Sequence, residues 1–220
     1  MSTQQELFEK RYVQISQTDR IGWSEKEVCE SAIEMYRKLL TSVGVQPGRL
    51  LELGCGRGNI ALEFANEGWD VTGVDFSPTA IAWAKDFAAS KGQAAEFIVR
   101  DLCEPWGFGP ETFDVILDAN CLHFFHGENR NHFLSQARST LKAQGVLVIC
   151  SLVNQPKPAD WALTGYDPNG RISIQNGVTM NNYVDAPELI QEVISAGFRV
   201  IASVLTQSDV DLMWLLLKKR

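Results

Sequence analysis

Short apolar runs alternate along the chain with stretches in which apolar residues recur every three or four positions, the pattern of strands alternating with helices. The strand-like runs are Arg49–Leu53, Val71–Asp75, Glu96–Arg100, Phe113–Asp118 and Val146–Cys150. Before them, Val28, Ala32, Met35, Tyr36, Leu39 and Leu40 follow helical spacing. A capping box from Ser24 to Glu27 opens that helix, and Gln46-Pro47-Gly48 ends it. Ile60–Glu67 reads as a helix stopped by Gly68. Ser77 supplies an N-cap hydroxyl and Pro78 a first helical residue, launching a helix to about Ser90. Arg130–Leu141 is helical, and a second capping box, Asp185–Glu188, opens a helix that stops at Gly197. Phe198–Leu205 and Val210–Leu217 are two closing strands. Only Ser151–Val184, rich in Pro, Asn, Gly and aromatics, breaks the rhythm and is too long for a tight crossover. The pattern predicts an α/β sheet domain over residues 1–220 with two decorations, a helical segment at 1–45 and an insertion at 151–184.

Composition narrows the class. A chain of 220 residues, 45% hydrophobic, is long enough to bury a core, roughly 70% of its unfolded surface. Twenty Lys and Arg against 27 Asp and Glu leave a net charge of −7, which disfavours a grip on phosphate backbones. The longest apolar runs, Val146–Cys150 and Leu212–Leu217, are too short to span a bilayer, and Met1 to Tyr12 are polar rather than signal-like. A soluble, cytoplasmic protein is expected. The five cysteines stand singly at 29, 55, 103, 121 and 150, which points to reduced thiols rather than a disulfide framework or a zinc site.

The turn after the first strand carries the chemistry. Leu50-Leu51-Glu52-Leu53-Gly54-Cys55-Gly56-Arg57-Gly58-Asn59-Ile60 sets three glycines between a strand and a helix. Such a turn reaches positive φ and lets a ligand approach the backbone, although glycines also occur there for steric reasons alone. Asn59 stands where a dinucleotide fingerprint would place its third glycine. Glu52 lies inside an apolar strand, and a buried carboxylate needs the amide donors of the loop. Asp75 ends the next strand, where its two oxygens could take both hydroxyls of a ribose or could simply precede a helix start. Asp101 ends the third strand in the same row and could accept from an adenine amino group.

Taken as a set, Glu52-Leu53-Gly54-Cys55-Gly56-Arg57-Gly58, Asp75, Asp101-Leu102, and Phe113-Asp114-Val115-Ile116 leading to Asn120 and His123 resemble the class I S-adenosylmethionine-dependent methyltransferases. The resemblance is clear over about Leu50 to Cys150. It implies a Rossmann-like three-layer sandwich with a seven-stranded, mostly parallel sheet whose last strand, Val210–Leu217, runs antiparallel. It further implies that the Gly54-Cys55-Gly56 turn faces the methionyl part and the adenosine. Asp75 would hold the ribose hydroxyls, Phe76 would lie against the adenine, and Asp101 and Leu102 would flank its ring and amino group. The backbone around Asp118–Asn120 would receive the methionyl ammonium, and Glu52 would organise the loop from behind. Leu7-Phe8-Glu9-Lys10-Arg11-Tyr12 with Gly22-Trp23-Ser24 is similar to the lid of tellurite-resistance and thiopurine methyltransferases, which makes Tyr12 and Trp23 lid candidates; packing of a docked helix is the plainer reading.

Methyl transfer from a sulfonium is an in-line displacement that asks for alignment and a dry pocket. No metal is demanded. A base helps if the acceptor is a hydroxyl or ammonium, and His123, just after the fourth strand, is the candidate, with His126 a lining residue. Residues 1–25, 120–126 and 151–184 should build the acceptor pocket, with Asp160, Trp161, Tyr166 and Tyr183 as candidate walls. The expected function is methylation of a small molecule at O, N or S, with product S-adenosylhomocysteine. A nucleotide-dependent oxidoreductase shares the sheet, glycine turn and ribose acid, and a non-catalytic binding module on the same fold is a further alternative. Replacing Glu52 by Gln is expected to loosen the loop.

Overall fold

The computed structural model describes residues 3–18, 20, 22–207 and 210–220. Two helices come first, α1 (Thr3–Ser16) and α2 (Lys26–Ser42). An alternating unit follows: β1 (Arg49–Leu53), α3 (Asn59–Asn66), β2 (Asp70–Asp75), α4 (Pro78–Lys91), β3 (Glu96–Val99), β4 (Phe113–Ala119), α5 (Glu128–Thr140) and β5 (Leu141–Val153). Next come α6 (Trp161–Thr164), β6 (Tyr166–Asp167), β7 (Ile172–Gln175), β8 (Val178–Asn182), α7 (Ala186–Ser195), β9 (Phe198–Thr206) and β10 (Asp211–Lys219). The main sheet has seven strands in the order β3-β2-β1-β4-β5-β10-β9. Its first five strands pair in parallel, and β10 runs antiparallel to both β5 and β9. The expected α/β class and antiparallel last strand are therefore present.

Strand order reverses between β1 and β4, which opens a crevice at the carboxyl edge of the sheet. The strands read as near-continuous apolar runs because helices cover both faces. Leu50, Val115 and Leu117 face a cluster with Tyr36, Leu39, Leu62, Phe64, Ile81 and Ala84 from α2, α3 and α4. Leu51, Leu53 and Ile116 face the other cluster, with Phe133, Leu134, Leu189 and Val193 from α5 and α7. Each such side chain, removed wholly from water, stabilises the fold by roughly 1.5–3 kcal/mol before entropy is counted.

Several boundaries differ from expectation. The helix α2 begins at Lys26 behind Glu25, which makes no side-chain cap, so the Ser24–Glu27 box does not form. Arg20 takes that turn instead, bonding the Trp23 carbonyl at 3.0 Å and pairing with Glu25 at 2.7 Å. By contrast, Ser77 Oγ accepts from the Ala80 amide at 2.9 Å and Asp185 with Glu188 forms its capping box, both as the sequence signals. The strand β5 starts at Leu141, not Val146, because Leu141 pairs with Phe113 before the register shifts to Val115 opposite Val146. The irregular stretch expected at 151–184 holds a three-stranded antiparallel sheet, β6-β7-β8. Its hairpin turns through Asn176-Gly177, both with positive φ (52° and 78°), a dipeptide that is itself a strong short-range hairpin signal. Of the expected lid at 1–45, residues 1, 2, 19 and 21 lie outside the described residues.

Candidate active site

The glycine turn is locked onto β2 by its own backbone. The amides of Gly54 and Cys55 both donate to the Val74 carbonyl at 2.9 Å, and Gly58 donates to Cys55 O at 2.8 Å. Gly54, Gly56 and Gly58 have φ of 71°, 52° and 81°, conformations that L side chains adopt only at a cost. A Cβ on Gly58 would lie 2.6 Å from the Phe97 ring, so this glycine lets α3 pack against the sheet. A Cβ on Gly56 would lie 2.9 Å from the Tyr12 hydroxyl. The open faces of Gly58 and Gly56 thus serve different purposes: one admits the core and the other admits α1.

Four acids ring this turn, each tied to a backbone amide. Asp75 is buried; its Oδ2 accepts from Gly56 N at 3.0 Å, its Oδ1 from Ser77 N at 2.9 Å, and the Tyr12 hydroxyl also donates to the carboxylate. Burial outweighs these donors and pushes its pKa up to about 6. Half-buried Asp101 accepts from Cys103 N at 2.9 Å through Oδ1, and from the Gln5 side-chain amide at 2.5 Å through Oδ2. Glu52 is raised to about 8 by burial, and the amide it meets is Ala61, in the first turn of α3, rather than a loop glycine. Asp118 is raised to about 7 by burial, while its Oδ1 accepts from Cys121 N at 2.9 Å and Leu122 N at 3.1 Å. The outer oxygens of Glu52 and Asp118 are buried without a hydrogen-bond partner.

The remaining expected residues divide. Half-buried Phe76 meets the Phe8 ring edge-on at 5.8 Å. Leu102 does not lie open beside Asp101: it is buried in the core cluster with Trp106, whose indole N–H donates to the Leu102 carbonyl at 3.3 Å. The Asp118 carbonyl is taken by the Tyr36 hydroxyl at 2.8 Å. The Ala119 carbonyl is nearer the turn, 4.0 Å from the Cβ that Gly54 lacks. Asn120 holds a positive φ of 60°, and its Oδ1 accepts from the Cys150 thiol at 3.3 Å.

His123 does not suit the role of base. It is only 4% exposed, burial followed by the charge of Arg130 lowers its pKa to about 3, and its Nδ1 accepts from the Leu152 amide at 3.4 Å. That bond leaves the proton on Nε2, so the ring has no free lone pair to offer. His126, half-buried, contacts the Met180 carbonyl through Nε2 at 3.3 Å.

Elements remote in sequence close the crevice. On α1, Phe8 and Tyr12 are buried against Trp23, with ring centroids 5.1 Å and 5.6 Å away, and the Arg11 guanidinium lies 4.4 Å over the Trp23 ring. Gln4 donates to the carbonyls of Thr179 at 3.2 Å and Met180 at 3.1 Å, which joins α1 to β8. Gln5, Phe8 and Glu9 were not singled out from the sequence. Their helical spacing with Tyr12 was the available signal, since positions three and four apart share a helix face. Of the candidate walls, Tyr166 meets Trp161 tilted at 5.4 Å and Tyr183 edge-on at 5.2 Å, and the Trp161 indole N–H donates to Pro156 O at 2.9 Å. Asp160 is partly exposed beside them. A surface cleft of about 1100 Å³ between Pro110, Arg138, Ser195 and Arg220 lies at the other edge of the sheet and includes no residue of the turn. Among the described residues no group of three or more His, Cys, Asp or Glu is placed to hold a metal ion, all five cysteines are free thiols, and no helix is long and apolar enough to cross a membrane.

Residues 50–145 match the family described as a methyltransferase domain. The ubiquinone biosynthesis O-methyltransferase of Cereibacter sphaeroides (strain ATCC 17025) is 31% identical over 134 residues, 61% of this chain and 53% of that protein. A putative methyltransferase of Bacillus subtilis (strain 168), YqeM, is 29% identical over 118 residues, 52% of this chain and 47% of its own length. The chain thus spans about half the length of the curated relatives it matches. Among solved structures, the Burkholderia thailandensis 1,6-didemethyltoxoflavin-N1-methyltransferase, bound to 1,6-didemethyltoxoflavin and S-adenosylhomocysteine, superposes with a TM-score of 0.71. It is 20% identical and covers 100% of this chain and 91% of its own. At that identity the likeness speaks for the fold.

Proposed function

We propose that the chain, whose residues 50–145 match a methyltransferase domain, is a class I S-adenosylmethionine-dependent methyltransferase that transfers a methyl group from S-adenosylmethionine to O, N or S of a small-molecule acceptor. The observation that carries this reading is a pair of carboxylates, Asp75 and Asp101, at the ends of neighbouring strands. Each has an oxygen fixed by a backbone amide, and both stand beside a turn of positive-φ glycines at the sheet's switch point. A nucleoside bearing hydroxyl and amino donors fits that row of acceptors, and the glycine positions of the turn permit close backbone approach.

When bound, S-adenosylmethionine supplies a methyl group already activated on a positive sulfur. Asp75 accepts the ribose hydroxyls, Phe76 packs against the adenine and Asp101 accepts from its amino group. The Gly54-Cys55-Gly56 turn and the carbonyl edge from Ala119 to Asn120 receive the methionyl end. Glu52, held on Ala61 N, fixes the start of α3 and so the far side of the turn. Its burial keeps it largely protonated at neutral pH, so it acts by position rather than charge. The chain contributes alignment and exclusion of water to an in-line displacement. With His123 neutral, buried and already accepting a hydrogen bond, the acceptor enters with its own lone pair exposed, or loses its proton after attack.

The names of the relatives support a small acceptor and divide over the atom, one an O-methyltransferase and one an N-methyltransferase. The reading is tested by calorimetry with S-adenosylhomocysteine. Asp75→Ala removes charged acceptors worth about 1.5–3 kcal/mol, so affinity should fall roughly 10–100-fold. Unchanged affinity, or binding of NAD in its place, overturns the assignment. Tight binding with no methyl transfer to any acceptor in a broad screen favours the non-catalytic reading.

A further inference from the structure

The face of α1 that meets the crevice presents donors and a ring in the same order as the acceptors beneath it. At one end the Gln5 side-chain amide donates to Asp101 Oδ2 at 2.5 Å. Near the middle the Phe8 ring lies against Phe76, 5.8 Å away and edge-on. At the other end the Tyr12 hydroxyl donates to Asp75 and sits in the space left by the missing Cβ of Gly56. These residues fall at i, i+3 and i+7, one stripe about 10 Å long at the helical rise. Their partners are the three assigned above to the adenine amino group, the adenine ring and the ribose hydroxyls.

We propose that α1, in the seat seen here, is an internal competitor of the cofactor: Gln5, Phe8 and Tyr12 occupy the positions of its amino group, base and ribose, and the helix must leave before the cofactor enters. The inference rests on the cofactor reading given above. The acceptor count supports it. Asp75 already serves Gly56 N and Ser77 N, and Asp101 serves Cys103 N, so the donors of α1 take the outward-facing capacity that a nucleoside would use. The seat also carries its own release. Glu9, on the same helix, bonds Thr79 through one carboxylate oxygen while the other is buried without a partner, and its charge acts on Asp75. Seating α1 therefore crowds two acids together, and unseating it relieves them. Exchanging one set of hydrogen bonds for an equivalent set is nearly neutral, so affinity is set by the fraction of molecules with α1 unseated. The lid expected from the resemblance is in this light a plug that gives way.

The test compares Tyr12→Phe, Gln5→Ala and the parent, as full chains, by calorimetry with S-adenosylhomocysteine, with Asp75→Ala run alongside. Removing a donor from α1 unseats it, so each of the first two variants should bind severalfold, up to about tenfold, more tightly. In the parent, hydrogen exchange of the backbone amides of α1 should speed up when S-adenosylhomocysteine is added. Unchanged or weaker binding by Tyr12→Phe and Gln5→Ala, or slower exchange in α1 on adding ligand, overturns the competitor role and means that α1 covers the cofactor from its present seat. Because Asp75 anchors both α1 and the ribose, the cofactor reading is judged with Asp75→Ala placed in the Tyr12→Phe background: binding as tight as Tyr12→Phe alone means that the cofactor reading itself has failed, an outcome distinct from the other two. Far-ultraviolet circular dichroism of each variant confirms that the compared chains are folded.

Discussion

The carboxyl edge of β1 to β4 and the small sheet of β6, β7 and β8 flank the same crevice but are built on opposite plans. At the first, each acid finds a backbone amide close by in the chain: Asp75 with Ser77, Asp101 with Cys103, Asp118 with Cys121 and Leu122, Glu52 with Ala61. At the second, the contacts that hold the sheet to the crevice join distant segments, Gln4 and His126 both meeting Met180 O, while Arg171 pairs with Glu188 at the surface. The first region is buried and fixed locally, with its charges desolvated. The second is half-exposed, and partly exposed ion pairs of this kind contribute little to stability. Under the proposed function the difference fits a cofactor edge that is read the same way each time and an acceptor side that varies with the acceptor.

The largest test of this contrast is Gly58→Ala. The new Cβ would strike Phe97 at 2.6 Å in a residue with φ of 81°, so the fold should lose roughly 2–4 kcal/mol, seen as a lower midpoint in urea. A midpoint level with the parent would mean that the turn is as pliable as the small sheet.

A pH series comes next. Burial raises Glu52 to about 8 and Asp118 to about 7, far above the values near 4 at which they ionise in the unfolded chain. Between those limits these two groups hold protons in the folded chain that they lose in the unfolded one, so their contribution to stability falls as pH rises from about 4 to 8, opposed up to about 6.5 by buried His123, whose lowered pKa works in the other direction. Glu52→Gln, with no proton to lose, should gain on the parent across that range, by on the order of 1–2 kcal/mol at pH 8.5 relative to pH 5. Parallel melting curves for the two proteins would show that Glu52 is ionised in the folded state. At neutral pH the same substitution should leave the turn intact, contrary to the loosening expected from sequence, because the buried acid is already largely neutral.

The smallest effect belongs to the region of the small sheet. Leu163 is 86% exposed on the short helix α6. Leu163→Ser should change stability by no more than about 0.5 kcal/mol and leave S-adenosylhomocysteine affinity untouched. A clear drop in that affinity would mean that the two regions are not independent.

The order of strands and helices, the positive-φ turn and the row of strand-end acids could be read along the chain, because each depends on residues within a few positions of one another. Ser77 caps α4 and Asp185 caps α7 for the same reason. The Asn176-Gly177 hairpin is equally local, but the aromatics and prolines around it mask the alternation of its strands. What only the tertiary structure decided is what faces what. His123 lies in a titratable position by sequence, yet burial beside Arg130 and the bond from Leu152 remove its basicity. Leu102 follows Asp101 directly, but the core takes its side chain. Tyr12 and Gln5 reach acids on β2 and β3 from residues far away in sequence. Desolvation and long-range contact are sums over neighbours that the chain brings together only by folding, and they set protonation, access and competition at a site whose residue types were already written in order.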